Sequence, residues 1–359
     1  MRILVIDPGA STTKIGIWEE NNLKIRDTIP HIRDSISRYG RIADQEEMRF
    51  SAVEKLIDDK HYLKATFDAV VGRGGLIRPV AGGTYEVDDT MLHDLRRGAN
   101  GEHASNLGGL LAYRFARSFG VRAFIVDPVV VDELQPHARL SGMEGIERKS
   151  IFHALNQKAV AREIADRLGK AYDEVDLIVA HIGSGVSVGA HRRGRVVDVN
   201  NALDGDGPYS QERTGGLPVR GVVTLIEEGA FSPAELLKTV SRGGGICSYI
   251  GETDLRSTVA RVEAGDEKAR LVFEGMGYQI AKEIGASAAV LGGHVDGIVL
   301  TGGGAHCDRL VSFIRERVSF IGPVFTIPGE LELEALAEGV SRVLRGQEEA
   351  KVYRHADRR

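Results

Sequence analysis

Residues 5–17 read VIDPGASTTKIGI: an apolar run that stops at Pro8-Gly9 and resumes at once as the alternating strand TTKIGIWE. Residues 177–199, LIVAHIGSGVSVGAHRRGRVVDV, repeat the plan: an apolar run, a Gly-Ser-Gly turn, an alternating strand, an HRRGR turn and a further strand. The two turns, at Gly9 and Gly183, lie about half a chain apart, and neither half shows the short period of a solenoid. One architecture used twice is the reading: an α/β chain of two domains, 1–150 and 151–334, with a C-terminal helix over about 335–359 packing back on the first.

Further strands are expected in FDAVVGRGG (67–75), RAFIVDPVV (122–130) and DGIVLTGG (296–303). Apolar residues recur at helical spacing in 89–99, 106–119 and 267–291. The stretch 150–169 is expected as a helix capped by Ser150, closed by Gly169 and carrying the chain from one domain to the next. The C-terminal segment should be helical and then give way to the charged tail YRHADRR.

At 359 residues, with 42% apolar and 27% charged residues, the chain suits two globular domains. A net charge of −5 argues against a nucleic-acid surface. Cys247 and Cys307 have no metal-like spacing and suit reduced thiols of a cytoplasmic protein. The N-terminus enters a strand directly, without the pattern of a signal peptide, and no run approaches the roughly 18 apolar residues of a membrane span.

Three turns carry the chemistry: DPGAST (7–12), HIGSGVS (181–187) and TGGGAH (301–306). In each, an apolar strand leads into glycines, which let backbone N–H groups close on an anion, and small hydroxyl residues can add donors without bulk. Lys14 shares a strand face with Thr12 and can place a positive charge beside that anion. None of the three is a P-loop or a full G-x-G-x-x-G fingerprint, and one alone would equally suit a tight hairpin. Their repetition favours phosphate binding.

Arg73 in VVGRGGLIRPV and Arg213 in GPYSQERTGGLP sit in glycine frames suited to a guanidinium that grips carboxylate or phosphate bidentately. Asp127 ends the strand FIVDP at a sheet's carboxyl edge, where α/β folds bind ligands. His181 ends LIVAH, His103 lies in the loop NGEHASN, and Glu332 stands near a helix start, where an acid also suits the dipole. A cap, a surface arginine or a satisfied histidine remains the alternative for each. There is no zinc spacing and no G-x-S-x-G elbow.

Taken in order, VGRGGLIRPVAGGTYEV, GEHASNLGGLLA, FIVDPVVVDEL, SIFHALNQKAVAR, VAHIGSGVSVGAH, ALDGDGPYSQERTGGLP, EAGDEKA and IVLTGGGAH span nearly the whole chain. In these stretches the chain resembles the acetokinase family, nearest its butyrate kinase branch, within the acetate and sugar kinase/Hsp70/actin superfamily. The resemblance implies two ribonuclease H-like (actin-like ATPase) domains with the active site in the cleft between them. It implies ATP, Mg²⁺ and a short-chain carboxylic acid, giving ADP and an acyl phosphate reversibly, by a homodimer or an assembly of dimers.

Carried across by motif, Arg213, His181 and Asp127 would be catalytic, Arg73 and His103 would lie on the acid side, and Asp127 with Glu332 would order Mg²⁺. Asp7, Gly9, Ser11, Thr12 and Lys14, with Gly183, Ser184, Gly185, Gly302, Gly303 and Gly304, would hold nucleotide and phosphate. The first turn departs from the family pattern Asn-Pro-Gly-Ser: Asp7 adds negative charge and Ala10 removes a hydroxyl.

A carboxylate acceptor is already ionised at neutral pH, so no general base is needed, and positioning with charge neutralisation suffices. Two rivals remain. A sugar or polyol kinase of the same fold would use Asp127 as base on a hydroxyl. A nonenzymatic nucleotide-binding regulator would have no use for Arg213.

Overall fold

The computed structural model describes residues 1–354, so residues 355–359 of the charged tail lie outside it. The chain divides into two compact units, Met1–Val131 with the residues from Leu331 onward, and Asp132–Glu330. The expected boundaries were 150 and 334.

The first unit is built on β1 (Arg2–Pro8), β2 (Thr12–Glu19), β3 (Asn22–Pro30), β4 (Ala69–Arg73), β5 (Thr84–Glu86) and β6 (Arg122–Val126). They form one sheet in the order β3-β2-β1-β4-β6-β5. β1 is buried from Ile3 to Pro8, as a central strand covered on both faces must be. Along β3 half-buried and exposed residues alternate, the pattern of an edge. β2 returns antiparallel to β1 with Asp7 opposite Lys14, while β4 and β6 continue parallel on the other side.

The helices of this unit include, in chain order, α1 (Glu46–Asp59), α2 (Asp89–Arg97), which packs on α3, and α3 (Asn106–Phe119), which packs on the sheet. The Asp88 carboxylate caps α2 by accepting the Met91 N–H at 2.8 Å. α3 comes so close to β4 that a Cβ on Gly72 would strike the Gly108 carbonyl, and one on Gly108 would strike the backbone of Arg73. Both glycines are therefore required for the approach. A C-terminal helix, Glu332–Leu344, packs against β1, β4 and β6 of the same unit.

The second unit contains β7 (Asp176–Ile182), β8 (Val186–Arg192), β9 (Arg195–Val199), β10 (Gly297–Gly302) and β11 (Val324–Pro328) in the order β9-β8-β7-β10-β11. β7 and β8 form a hairpin, as β1 and β2 do, and β10 and β11 run parallel to β7 as β4 and β6 do to β1. The repeated sequence plan is thus a repeated strand order. The HRRGR turn joins β8 to β9 through Arg193 and Gly194, both at positive φ (46° and 81°), the conformation a two-residue hairpin needs.

Its main helices are α4 (Ala154–Arg167), α5 (Leu255–Glu263), α6 (Glu267–Val290) and α7 (Asp308–Val318). α4 lies wholly within this unit and begins four residues after Ser150, with His153 at the cap position. Ser150 is not the cap: the Ile151 carbonyl accepts the Ala202 N–H at 2.9 Å, which holds the chain extended before the helix can start. Among the described residues no helix is long and apolar enough to cross a membrane.

The last described residues are tied to the first unit. Lys351 pairs with β5 through its N–H to Thr84 at 2.8 Å, and the Tyr353 hydroxyl donates to the buried Asp94 carboxylate at 2.8 Å while accepting the Arg78 N–H at 3.1 Å. Tyr353→Phe leaves a buried acceptor short of a donor and should lower the unfolding free energy by about 1–2 kcal/mol. An unchanged urea midpoint would show that the tie contributes nothing.

Candidate functional site

In both units the glycine turns follow the central strands, at the carboxyl edge of the parallel part of the sheet, where α/β folds hold ligands. In the first unit the β1–β2 turn closes with the Gly9 N–H on the Thr12 carbonyl at 2.8 Å, leaving Ala10 and Ser11 exposed at its tip. A residue the motifs do not reveal fixes this turn. Arg49 of α1 is fully buried and donates to the carbonyls of Gly9 (2.9 Å), Ala10 (3.2 Å) and Thr12 (3.0 Å), and to the Thr13 hydroxyl (3.1 Å). Gln45, itself buried, holds the same guanidinium from the other side. With its carbonyls drawn back onto Arg49, the turn is held from behind. The signal in the sequence is an arginine in register with Val53 and Ile57 on the buried face of α1.

Four predicted site residues, distant in sequence, come together at the end of β1. Asp7 is 2% exposed. Arg73, ending β4, donates to Asp7 at 3.3 Å and to Glu332 of the C-terminal helix. Lys14, across the β1–β2 pair, donates to the other Glu332 oxygen at 2.7 Å. Lys14, expected beside a bound phosphate, is here ion-paired with a carboxylate.

The two acids respond in opposite directions. Burial, then the Glu332 charge and the hydrogen bond between the two carboxyls, push Asp7 up to about 7 against the pull of Arg73. Burial would also raise Glu332, but Arg73, the Asp7 hydrogen bond and Lys14 overcome it and hold that carboxyl well below its usual range. The pair therefore shares one proton near neutrality, lodged on Asp7.

Asp127 follows β6, two strands away from β1. Its φ of 37° is unusual for a non-glycine residue, and the strain is held by a reciprocal pair of bonds with Gly83: the Gly83 N–H to the carboxylate at 2.6 Å, and the Asp127 N–H to the Gly83 carbonyl at 3.0 Å. His103 is exposed in the loop before α3, and its Nδ1 accepts from the Ser105 hydroxyl at 2.8 Å, leaving the proton on Nε2.

In the second unit His181, 1% exposed, is the last residue but one of β7. Its Nδ1–H donates to Asn156 of α4 at 2.7 Å, its ring stacks on His153 at 3.8 Å, and its Nε2 stands 3.8 Å from Glu330. Asn156 fixes the tautomer and turns Nε2 towards the Gly183 end of the strand. Thr301, the first residue of the third turn, donates to the same Asn156 oxygen at 3.3 Å.

Arg213 lies directly over the second turn. A Cβ on Gly185 would strike its guanidinium, and its Nη1 donates to the Ala202 carbonyl at 2.6 Å. Burial lowers its pKa, yet a guanidinium stays charged at any physiological pH. The third turn packs on the second, because Gly302 (φ 84°) and Gly304 both leave room only for the Ile182 strand end.

A cavity of about 800 Å³ opens between these turns and α5, lined by Gly183, Ser184, Gly303, Gly304, Asp254 and Arg256 among others. Sequence reasoning identified both turns but none of Asn156, Gln211, Asp254 or Arg256.

Among the described residues no three His, Cys, Asp or Glu side chains group to hold a metal ion. Mg²⁺ needs no such cage, since it usually takes one or two carboxylates with waters and phosphate oxygens. Asp7 and Glu332, hard-oxygen donors in contact at the end of β1, fit that demand. The expected pair is Asp127 and Glu332; Glu332 contacts Asp7, Lys14 and Arg73.

Over residues 139–334, more than half of its length, the chain matches the acetokinase family. Its structure is similar to that of acetate kinase from Porphyromonas gingivalis, with a TM-score of 0.78 at 19% identity over 95% of this chain and 99% of that one. A propionate kinase from Francisella tularensis subsp. tularensis SCHU S4 gives 0.72 at 17% identity, over 94% and 98% of the two chains. Acetate kinase from Entamoeba histolytica gives 0.75 at 14% identity, over 95% and 99%. At these identities the likeness establishes the fold: α/β, with two actin-like ATPase domains, each on its own mixed sheet.

Proposed function

The chain belongs to the acetokinase family, phosphotransferases with a carboxyl group as acceptor, and we propose that its own acceptor is butyrate or a branched acid of similar size, phosphorylated reversibly by ATP to the acyl phosphate. The observation that carries the nucleotide half is the cavity between two glycine turns with Arg213 seated on one of them. The choice of acid rests on the nearness of the motifs, VGRGG and GEHASN above all, to the butyrate kinase branch.

In this reading the turns at Gly183–Gly185 and Gly302–Gly304 hold the nucleotide through backbone N–H groups. Arg213 and His181 meet charge developing on the transferring phosphoryl group. His181 presents Nε2 to that group, its ring orientation set by the Nδ1–H bond to Asn156 at 2.7 Å, with Glu330 3.8 Å from Nε2. In the first unit Arg73 and His103 would orient the acid, Arg73 also holding Glu332 in place. Mg²⁺, when bound, would neutralise charge on the phosphate oxygens, and Glu332, Asp7 and Asp127 are the acids of this unit available to hold it.

Asp127 suits a carboxylate acceptor better than an alcohol. One of its oxygens is already engaged with the Gly83 N–H at 2.6 Å, whereas an alcohol acceptor would need a carboxylate oxygen open to take its proton.

Hydroxylamine trapping of the acyl phosphate, with Mg-ATP and acids from acetate to valerate including branched isomers, tests the proposal. Hydroxamate formation should peak at four or five carbons. Neighbouring acids should fall off by about 10–200-fold per methylene, the range one methylene is worth in a hydrophobic pocket. A peak at acetate or propionate would overturn the butyrate assignment. ADP release with glucose or glycerol and no hydroxamate would favour a sugar or polyol kinase, and ATP binding without turnover a regulator.

A further inference from the structure

We propose that Gln211 reads the ribose of the bound nucleotide, an inference that rests on the nucleotide reading of the cavity given above. Gln211 lines that cavity and is 93% buried, its exposure being 7%. Both polar atoms of its carboxamide are buried without a hydrogen-bond partner, and among the described residues of the cavity wall no other side chain is in that position. A buried amide with neither donor nor acceptor used destabilises the free protein, and such groups persist where something binds them.

The backbone leaves little freedom in where this side chain starts. The Cys247 N–H donates to the Gln211 carbonyl at 2.9 Å, and the Ser210 N–H donates to the Arg213 carbonyl at 3.0 Å, closing a tight loop. The neighbouring Ser210 hydroxyl donates to the Ser184 carbonyl at 2.5 Å. Gln211 is thereby anchored at the Ser184 end of the cavity, against the turn assigned to phosphate.

Chemistry then selects the ligand group. A carboxamide offers a donor and an acceptor side by side. Polyphosphate oxygens only accept, so they would leave Oε1 facing an anion. A ribose hydroxyl donates and accepts, and it is the nucleotide group next to the phosphates. The adenine edge also pairs with a carboxamide, N6 and N7 being the usual partners, but it lies further from the phosphate turn. The ribose hydroxyl satisfies both the position and the hydrogen-bonding pattern, with the amide turning into the cavity as nucleotide enters.

The test is a cycle of calorimetric dissociation constants on the full chain, for ATP, 2′-deoxy-ATP, 3′-deoxy-ATP and ITP, with wild type, Gln211→Met and Gln211→Glu. Wild type should lose about 5–10-fold on one of the two deoxy nucleotides, the worth of a neutral hydrogen bond. Gln211→Met, of similar shape but apolar, should weaken ATP by the same factor and no longer distinguish the deoxy form. Gln211→Glu keeps the acceptor but adds charge beside the phosphates, so it should weaken ATP and deoxy-ATP alike. The urea midpoint separates this role from a packing role: Gln211→Met should unfold at higher urea than wild type, because the unpartnered amide is gone.

Unchanged ATP affinity in Gln211→Met, or a lower midpoint with deoxy discrimination intact, would overturn the proposal. A change confined to the ATP/ITP ratio would assign the amide to the base instead. If wild type binds no ATP, the nucleotide reading falls and this one with it. If wild type binds ATP with no deoxy discrimination, only the ribose assignment falls.

Discussion

Arg213→Ala is expected to lower turnover by on the order of 10³-fold with saturating nucleotide and acid, while the dissociation constant for ATP moves by less than about 10-fold. The asymmetry follows from where the guanidinium sits. It lies on Gly185, with one nitrogen already on the Ala202 carbonyl at 2.6 Å. A charge held by a carbonyl and a glycine backbone retains its capacity to neutralise charge that grows during transfer. In the ground state the turns share the work of binding, so affinity should change far less than rate.

The substitution should leave the fold intact, since it removes one hydrogen bond to a carbonyl and no buried ion pair. Arg213→Lys keeps the charge without the planar fork and should recover only part of the loss. Acyl hydroxamate turnover and calorimetric ATP affinity, measured on the same preparations, decide it. A drop of less than 10-fold in turnover, or a loss expressed wholly in ATP affinity, would remove Arg213 from the chemistry.

How far the sequence discloses such a site depends on whether its partners are local. Strand–turn–strand units are local, so the pairing of β1 with β2 and of β7 with β8, and the turns at Gly9 and Gly183, are visible as alternation broken by glycine. The long helix Glu267–Val290 shows for the same reason, its apolar residues recurring at helical spacing. Asp127 can be placed at a strand end from FIVDP alone, but its left-handed φ comes from Gly83, 44 residues away, and no pattern announces it. Arg73 and Glu332 each stand out, yet their contact spans 259 residues and depends on the C-terminal helix returning to the first sheet.

Buried polar residues were the least legible. Arg49 looks like one more charge on a helix until its register with Val53 and Ile57 is counted. Asn156 and Gln211 sit in segments whose pattern describes a helix and an irregular loop. Their importance comes from what they face, His181 in one case and a cavity in the other.

Asp7 leads to the second large effect, and its sign can be worked out. Asp7 has its carboxyl pushed from 3.8 to about 7 by burial and by Glu332. A carboxyl raised in the folded state favours folding most when protonated, so its contribution is fully present below pH 3.8 and is lost as pH rises to about 7. Glu332 acts oppositely: held below its usual range by Arg73, Asp7 and Lys14, it favours the fold above about pH 4.5 and loses that contribution as pH falls. Above pH 7 the folded chain must therefore hold two buried carboxylates in contact, against two cations.

Asp7→Asn replaces the shared proton by an amide donor that no pH can remove. The substituted chain should match wild type only below about pH 3.8, where Asp7 is protonated both folded and unfolded, and should already lead by about 1–2 kcal/mol at pH 5. It should exceed wild type by about 2–4 kcal/mol at pH 8, the shift of Asp7 converted at 1.36 kcal/mol per pH unit and reduced for the coupling between the two acids. Urea unfolding in chelator-treated buffer across pH 5–8 measures the difference directly, because pH effects from other groups cancel between the two chains. Two curves that stay parallel would show that Asp7 is ionised throughout and that Lys14 and Arg73 neutralise both acids. Divergence towards high pH would show that Asp7 holds its proton well above the usual carboxylate range in the folded chain.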